Sequence, residues 1–149
     1  MRAVIQRVAR AIVTVGQESV GRIDAGLFVL AGVAVGDGPD DVKTLAEKIR
    51  YLRIFNDAAG KMNLDVAQVG GGVLVVSNFT LLADTRYGRR PAFTGAADPT
   101  AAEALYRQLC DSIQALGVPV AMGRFREHMR IEIVNDGPVT IVLDTRATS

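Results

Sequence analysis

The sequence predicts a single α+β domain, with mostly antiparallel, curved and partly barrel-like β-sheet covered by two helices. Three observations carry this reading. Short runs of alternating or β-branched residues recur along the chain, separated by Gly, Asp and Asn turn signals. Two segments carry apolar residues at helical spacing, each behind a start of the Asp and Pro type. At 149 residues one domain takes in the whole chain, 1–149, and buries a sizeable core without staples.

Residues 3–8 alternate and are expected as the first strand, with residues 11–15 as a second. Gly16-Gln17-Glu18 then turns the chain into a third, 19–23. Asp24-Ala25-Gly26 precedes the apolar run 27–35, expected as a central strand. Turns this short favour antiparallel neighbours.

Gly36-Asp37-Gly38-Pro39 interrupts the sheet, and Pro39, Asp40 and Asp41 open a helix whose positive end suits their carboxylates. Val42, Leu45, Ala46, Ile49 and Leu52 make its buried stripe, leaving Lys43, Glu47, Lys48 and Arg50 on a solvated face. Residues 56–60 close this unit in a loop. Gly70-Gly71-Gly72 precedes a strand at 73–77. No helix follows and no Walker or dinucleotide pattern is present, so the glycines read as an entry turn, not a phosphate cradle.

Residues 84–93 read as a polar loop holding Arg86, Arg89 and Arg90. Asp98-Pro99 caps the second helix, with Ala102, Leu105, Leu109, Ile113 and Leu116 on one face and Gly117 just past its end. Residues 118–122 suggest a short strand, placed at an edge by Pro119. The last strands are expected at 129–133 and 139–143. Between them, Asn135-Asp136-Gly137-Pro138 is turn chemistry, and on local sequence alone it reads as a hairpin. Residues 144–149 are expected to fray.

With 49% hydrophobic and 22% charged residues, the composition is that of an ordinary globular protein. No run of 18 apolar residues is present, so no membrane span is expected. Met1-Arg2 leads directly into strand pattern, without the features of a signal peptide. A single cysteine makes no intramolecular disulfide, which fits a reducing cytosol. A net charge of +1 argues against coating nucleic acid by bulk electrostatics, so any RNA contact is local.

The only histidine, His128, lies in a charged stretch and reads as exposed and non-catalytic. Cys110 sits mid-helix, where nothing lowers a thiol pKa, and reads as packing. Metal-ligand spacing is absent, so no metal site is expected. Ser77 and Thr80 stand at the end of an apolar strand, where side chains emerge into clefts, although local sequence alone favours strand-end hydrogen bonding. The forks of Arg86, Arg89 and Arg90 match phosphate oxygens, and a solvated loop explains them equally.

Ser77-Asn78-Phe79-Thr80-Leu81 and Asn135-Asp136-Gly137-Pro138-Val139-Thr140 together resemble the signature pair of the D-aminoacyl-tRNA deacylases. Ile5-Gln6-Arg7-Val8, Gly60-Lys61-Met62-Asn63, Val73-Leu74-Val75-Val76, Ala83-Asp84-Thr85-Arg86 and Gly123-Arg124-Phe125 extend the resemblance over nearly the whole chain. The family usually has Gln where this chain has Asn78, a side chain one methylene shorter.

The resemblance implies the same fold, a homodimer, a tRNA substrate and cytosolic hydrolysis of the ester between a D-amino acid and tRNA, without metal or cofactor. It puts the scissile ester at the strand end of Ser77, Phe79 and Thr80, with N–H groups near Phe79 and Thr80 facing the developing oxyanion. No base is in sight to activate Thr80, so Thr80 reads as an orienting group, with the substrate's ribose 2′-hydroxyl assisting water. The resemblance also implies a cis bond at Pro138, with its neighbouring carbonyls turned into the partner subunit's pocket. There they would accept from the α-ammonium and leave no space for an L side chain, so glycyl-tRNA would be cleaved as well. Arg7 matches the position that steadies this loop. Asn78, Phe125 and Met129 would meet the substrate, the last two beside Phe79 against a terminal adenine, although core packing explains them as well. Two alternatives are the related branch that removes L-amino acids from tRNA and a non-catalytic module binding the tRNA end. The chain matches the D-specific form at Ser77, Phe79, Asn135 and Val139.

Overall fold

The sheet is built around its first strand. In a computed structural model that describes residues 1–146, β1 (Arg2–Val15) runs as one strand where two were expected. β2 (Glu18–Ile23) and β3 (Gly26–Gly32) both pair with it antiparallel, β3 against residues 2–8 and β2 against residues 11–15. They share one edge of β1, because β8 (Arg130–Asp144) pairs along residues 2–14 on the other. After α1 (Pro39–Tyr51), β4 (Phe55–Asn56) and β5 (Met62–Leu64) form a small separate hairpin. β6 (Gly72–Ser77) then lies parallel to β3, and β7 (Val120–Met122) lies parallel to β6 beyond α2 (Pro99–Ala115). The order β2-β1-β3-β6-β7 curls until β2 meets β7 again. At that seam a Cβ built on Gly21 would stand 2.4 Å from the Met122 carbonyl oxygen, so only glycine allows the approach.

The curled sheet has two cores. Ala3, Ile5, Leu27, Val29, Leu45, Ile49, Leu109 and Ile113 pack between sheet and helices. Val8, Val13, Phe28, Leu74 and Val76 fill the inside of the barrel. β1 moves from the first core to the second along its length, and two register breaks near residues 6–10 accompany the move. Cys110 is buried, as its mid-helix place suggested, and burial pushes its thiol up to about 12. Tyr106 donates to the Val75 carbonyl at 2.7 Å, tying α2 to β6.

Four further expectations need correction. The hairpin at residues 135–138 does not form, because the chain does not reverse there. Residues on both sides pair with the same strand, β1, so residues 130–133 and 139–143 belong to one strand, β8, which begins just after Met129. The run 27–35 leaves the sheet at Gly32, where the Asp37 carboxylate accepts from the Ala34 N–H at 2.6 Å and turns the chain outward. Arg50 is not on a solvated face: it donates to the Leu116 carbonyl at 2.9 Å and pairs with Asp65 at 3.0 Å. The helical stripe read α1 against the sheet alone and took no account of α2. Finally, residues 144–146 do not fray. Thr145 donates its N–H to the Met1 carbonyl and its hydroxyl to Asp41, and Arg146 pairs with Asp37. The rest of that segment, 147–149, lies outside the described residues.

Closing the barrel at Gly21 gives the first test. Gly21→Ala should cost about 1–3 kcal/mol in urea unfolding, since its Cβ meets backbone rather than a movable side chain. Gly95→Ala, whose Cβ has no neighbour nearer than 3.8 Å, should unfold like the native chain.

Candidate active site

β6 delivers Ser77 to the sheet's end, and the Asn78 N–H fixes that end by donating to the Ala31 carbonyl at 2.9 Å. The chain then enters a short 3-10 turn, Phe79–Leu82. Asn78 caps it: its side-chain oxygen accepts from the Thr80 N–H at 3.3 Å and from the Thr80 hydroxyl at 2.6 Å. An Asn two residues back closes this ring well, whereas an amide one methylene longer would close a looser one. At the other end of the turn, Arg2 donates to the Leu81 carbonyl at 2.8 Å while pairing with Asp144 on β8 at 3.1 Å. The turn is therefore held at both ends.

This arrangement leaves distinct chemistry at each position. The Thr80 proton is directed at Asn78, and no base among the described residues lies within hydrogen-bonding reach of its oxygen. The Thr80 N–H is occupied by the cap. The Phe79 N–H, at the start of the 3-10 turn, finds no acceptor among the described residues. Of the two amides expected to face an oxyanion, the geometry leaves Phe79 free.

Beside the turn lies a cleft of about 740 Å³. Ser77, Asn78, Phe79, Thr80, Phe125 and Met129 all line it, so six of the expected residues come together. The exposed Phe79 ring meets Phe93 edge to face, with centroids 4.9 Å apart. Sequence reasoning missed Phe93 and the segment Arg126, Glu127 and His128, which form another wall of the cleft. His128 is exposed as expected, yet it borders the cleft, which a charged stretch read as surface could not reveal. Arg126 adopts φ +66, a conformation uncommon for a non-glycine residue and without a sequence signal here. Among the described residues, no three His, Cys, Asp or Glu side chains gather as a metal-holding group, and no helix is long and apolar enough to cross a membrane.

Arg7, Gly137 and Pro138 are not in the cleft. Val8 pairs with Asn135 and Gln6 with Thr140, so Arg7 alone on β1 stands opposite Asp136, Gly137, Pro138 and Val139 on β8. These four residues bulge from the sheet. The Gly137–Pro138 bond is cis, and Gly137 has φ +148. Asn135 closes the base of the bulge, accepting from the Val139 N–H at 2.8 Å and donating to the Val139 carbonyl at 3.2 Å. Arg7 is in phase with Ala3 and Ile5 and so points under the helices, where it is 8% exposed. It donates to the Asp136 carbonyl at 2.8 Å and to the Ile54 carbonyl at 2.7 Å.

The arginine loop divides. Arg86 is clasped by Asp84, Nε to Oδ1 at 3.0 Å and Nη2 to Oδ2 at 2.8 Å, and this bonding holds the Asp84 carboxyl down at about 2. Arg86 lines a second cleft of about 600 Å³ with Arg2 and Asp144. Arg89 and Arg90 are exposed and make no ion pair among the described residues.

The chain matches the family model described as D-Tyr-tRNA(Tyr) deacylase over residues 4–144. A D-aminoacyl-tRNA deacylase of Desulforudis audaxviator is 58% identical over 146 residues, covering 98% of both chains. One from Deinococcus radiodurans is 56% identical over 144 residues, covering 97% of this chain and 99% of its own. Among solved structures, one described as a c-Myc DNA unwinding element binding protein superposes with TM-score 0.93 at 37% identity, covering 99% of this chain and 100% of its own. A probable eukaryotic D-amino acid tRNA deacylase superposes with TM-score 0.80 at 15% identity over 95% and 97%, a likeness of fold.

Two outcomes are expected from this geometry. Arg7→Met leaves the Ile54 and Asp136 carbonyls without their donor and should cost about 2–4 kcal/mol in urea unfolding. The carboxyl carbon of Asp84, followed by NMR, should titrate with a midpoint near 2 rather than 3.8. Because the folded value is depressed, the pair with Arg86 persists as pH falls through 3.8 and is lost only near 2. A midpoint near 3.8 would mean that the pair does not form in solution.

Proposed function

The chain belongs to the D-Tyr-tRNA(Tyr) deacylase family, and on that premise we propose that it hydrolyses the ester joining a D-amino acid to tRNA in the cleft beside Thr80. The observation that carries this reading is the capped 3-10 turn, which brings Ser77, Asn78, Phe79 and Thr80 into one cleft with an amide left unpaired at Phe79. That N–H is suited to the oxyanion of a tetrahedral intermediate. Thr80, bonded to Asn78 and without a base, acts as an orienting group. The neighbouring ribose 2′-hydroxyl of the substrate then positions or activates the attacking water, and no metal or other cofactor enters the reaction. Phe79, Phe125 and Met129 offer apolar surface to the terminal base. Arg89 and Arg90 have their forks open for phosphates, while Arg86 is committed to Asp84.

Selectivity rests on Gly137 and Pro138, presented by a second copy of the chain. Two features support this: the bulge does not line the chain's own cleft, and β8 carries it on an edge that no strand covers among the described residues. Arg7 and Asn135 hold the bulge so that its carbonyls can receive the substrate's α-ammonium and exclude an L side chain. Exclusion of this kind ignores what a D side chain contains and admits glycine. A tRNA substrate puts the reaction in the cytosol.

Matched aminoacyl-tRNAs provide the test. D-aminoacyl-tRNA and glycyl-tRNA should be deacylated at enzyme levels at which L-alanyl-tRNA survives. Cleavage of the L ester would assign the chain to the L-editing activity, and binding without cleavage would reduce it to a tRNA-end module. Thr80→Ala should lower turnover about ten- to a hundredfold and leave measurable activity, while tRNA ending in 2′-deoxyadenosine should be nearly inert. Complete loss in Thr80→Ala together with normal cleavage of the deoxy substrate would make Thr80 the nucleophile.

A further inference from the structure

The loop that leaves the 3-10 turn at Asp84 returns at Ala92 and runs straight into Phe93, on the lip of the cleft. Its base is rigid: Asp84 and Ala92 exchange backbone hydrogen bonds of 2.7 and 2.9 Å. The Asp84 carboxylate also accepts from the Arg86 N–H at 3.0 Å and grips the Arg86 guanidinium. On this frame stands Tyr87, whose side chain is the most exposed of the large apolar and aromatic ones described, at 79%. Its hydroxyl has no hydrogen-bond partner among the described residues, and its ring packs into neither core. The Arg86 guanidinium lies 5.5 Å from the ring centroid, so one flank of the ring faces a held cation and the rest faces water. Gly88, at φ +72, turns the chain directly after it, and Arg89 and Arg90 follow, both exposed.

An aromatic ring displayed among arginines on a fixed loop is the arrangement that binds single-stranded nucleic acid, with cations on the backbone and a base stacked on the ring. We infer that Tyr87 is a stacking platform for an unpaired nucleotide at the 3′ end of the RNA substrate, upstream of the terminal nucleotide that occupies the cleft. The inference rests on the deacylase reading of the cleft and adds a contact outside it. A substrate whose last nucleotide enters beside Phe79 and Phe93 leaves past the chain that joins them, and the loop carrying Tyr87 lies on that stretch, between the 3-10 turn and Phe93. Stacking needs only the π-face of a base, so this contact accepts any nucleotide and suits an enzyme that must act on many tRNAs.

The chain has no tryptophan, so Tyr87→Trp introduces a sole indole. Uncharged tRNA with its complete unpaired 3′ end should quench that indole, and tRNA trimmed of those nucleotides should not. Tyr87→Ala should weaken binding of complete tRNA roughly 5- to 100-fold, with the salt dependence of binding unchanged because no phosphate contact is lost. Tyr87→Phe should bind as the native chain does. Native-like binding by Tyr87→Ala, or equal quenching by complete and trimmed tRNA, overturns the platform and leaves the deacylase reading standing. Failure of the native chain to bind or deacylate any aminoacyl-tRNA removes both.

Discussion

A buried guanidinium is the constraint from which the rest of the architecture follows. β8 must leave β1 for four residues and return to it, and while away, its backbone groups have no ladder partners. Arg7 stands directly opposite the gap and fills the need from the helix side of the sheet. It also reaches the Ile54 carbonyl, which lies beyond the end of α1. One planar side chain thus joins β1, β8 and the segment after α1. The two carbonyls are met by two separate nitrogens of one planar fork, a spread of donors that the compact ammonium of lysine lacks. The position also coincides with the place where β1 passes from one core to the other, so a polar side chain there interrupts neither.

The 3-10 turn obeys similar logic on a smaller scale. A strand that ends at a surface leaves donors and acceptors unpaired, and here they are shared out with little redundancy. Asn78 takes two donors, Arg2 supplies one acceptor's need, and the Phe79 backbone amide is left without a partner among the described residues. An unpaired donor at the mouth of a cleft, held by groups that are themselves fixed, needs little reorganisation when charge develops nearby. The bulge and the turn sit on different elements and are tied down separately, so each is rigid without the other.

Much of this was legible in the chain, and the failures share a cause. Elements whose identity depends on their own residues were readable: the stripe Val42, Leu45, Ala46, Ile49, the cap at Asp98-Pro99 and the apolar strand before Ser77. What escaped depended on partners far away in sequence. Asn135-Asp136-Gly137-Pro138 has every local mark of a reversal, and only pairing with a strand more than a hundred residues earlier turns it into a bulge. Arg50 looked solvated because α2, whose end it caps, is 66 residues on. The site followed the same pattern. Ser77, Asn78, Phe79 and Thr80 were found together because they are contiguous, and Phe125 and Met129 because they offer apolar surface to a base. Phe93 and the Arg126–His128 wall enter the cleft only through folding.

The bulge has a further consequence for the margin of the sheet. β8 is 15 residues long and lies at the margin of the sheet. A straight margin of that length, with exposed Ile131, Val134 and Val142, would invite strands of other molecules to add on in register and keep adding. At its middle the strand steps away from its neighbour, and Pro138 contributes no N–H. An incoming strand therefore finds two short stretches out of line with each other instead of one continuous template. The four bulged residues thus also guard the sheet's margin against runaway self-association.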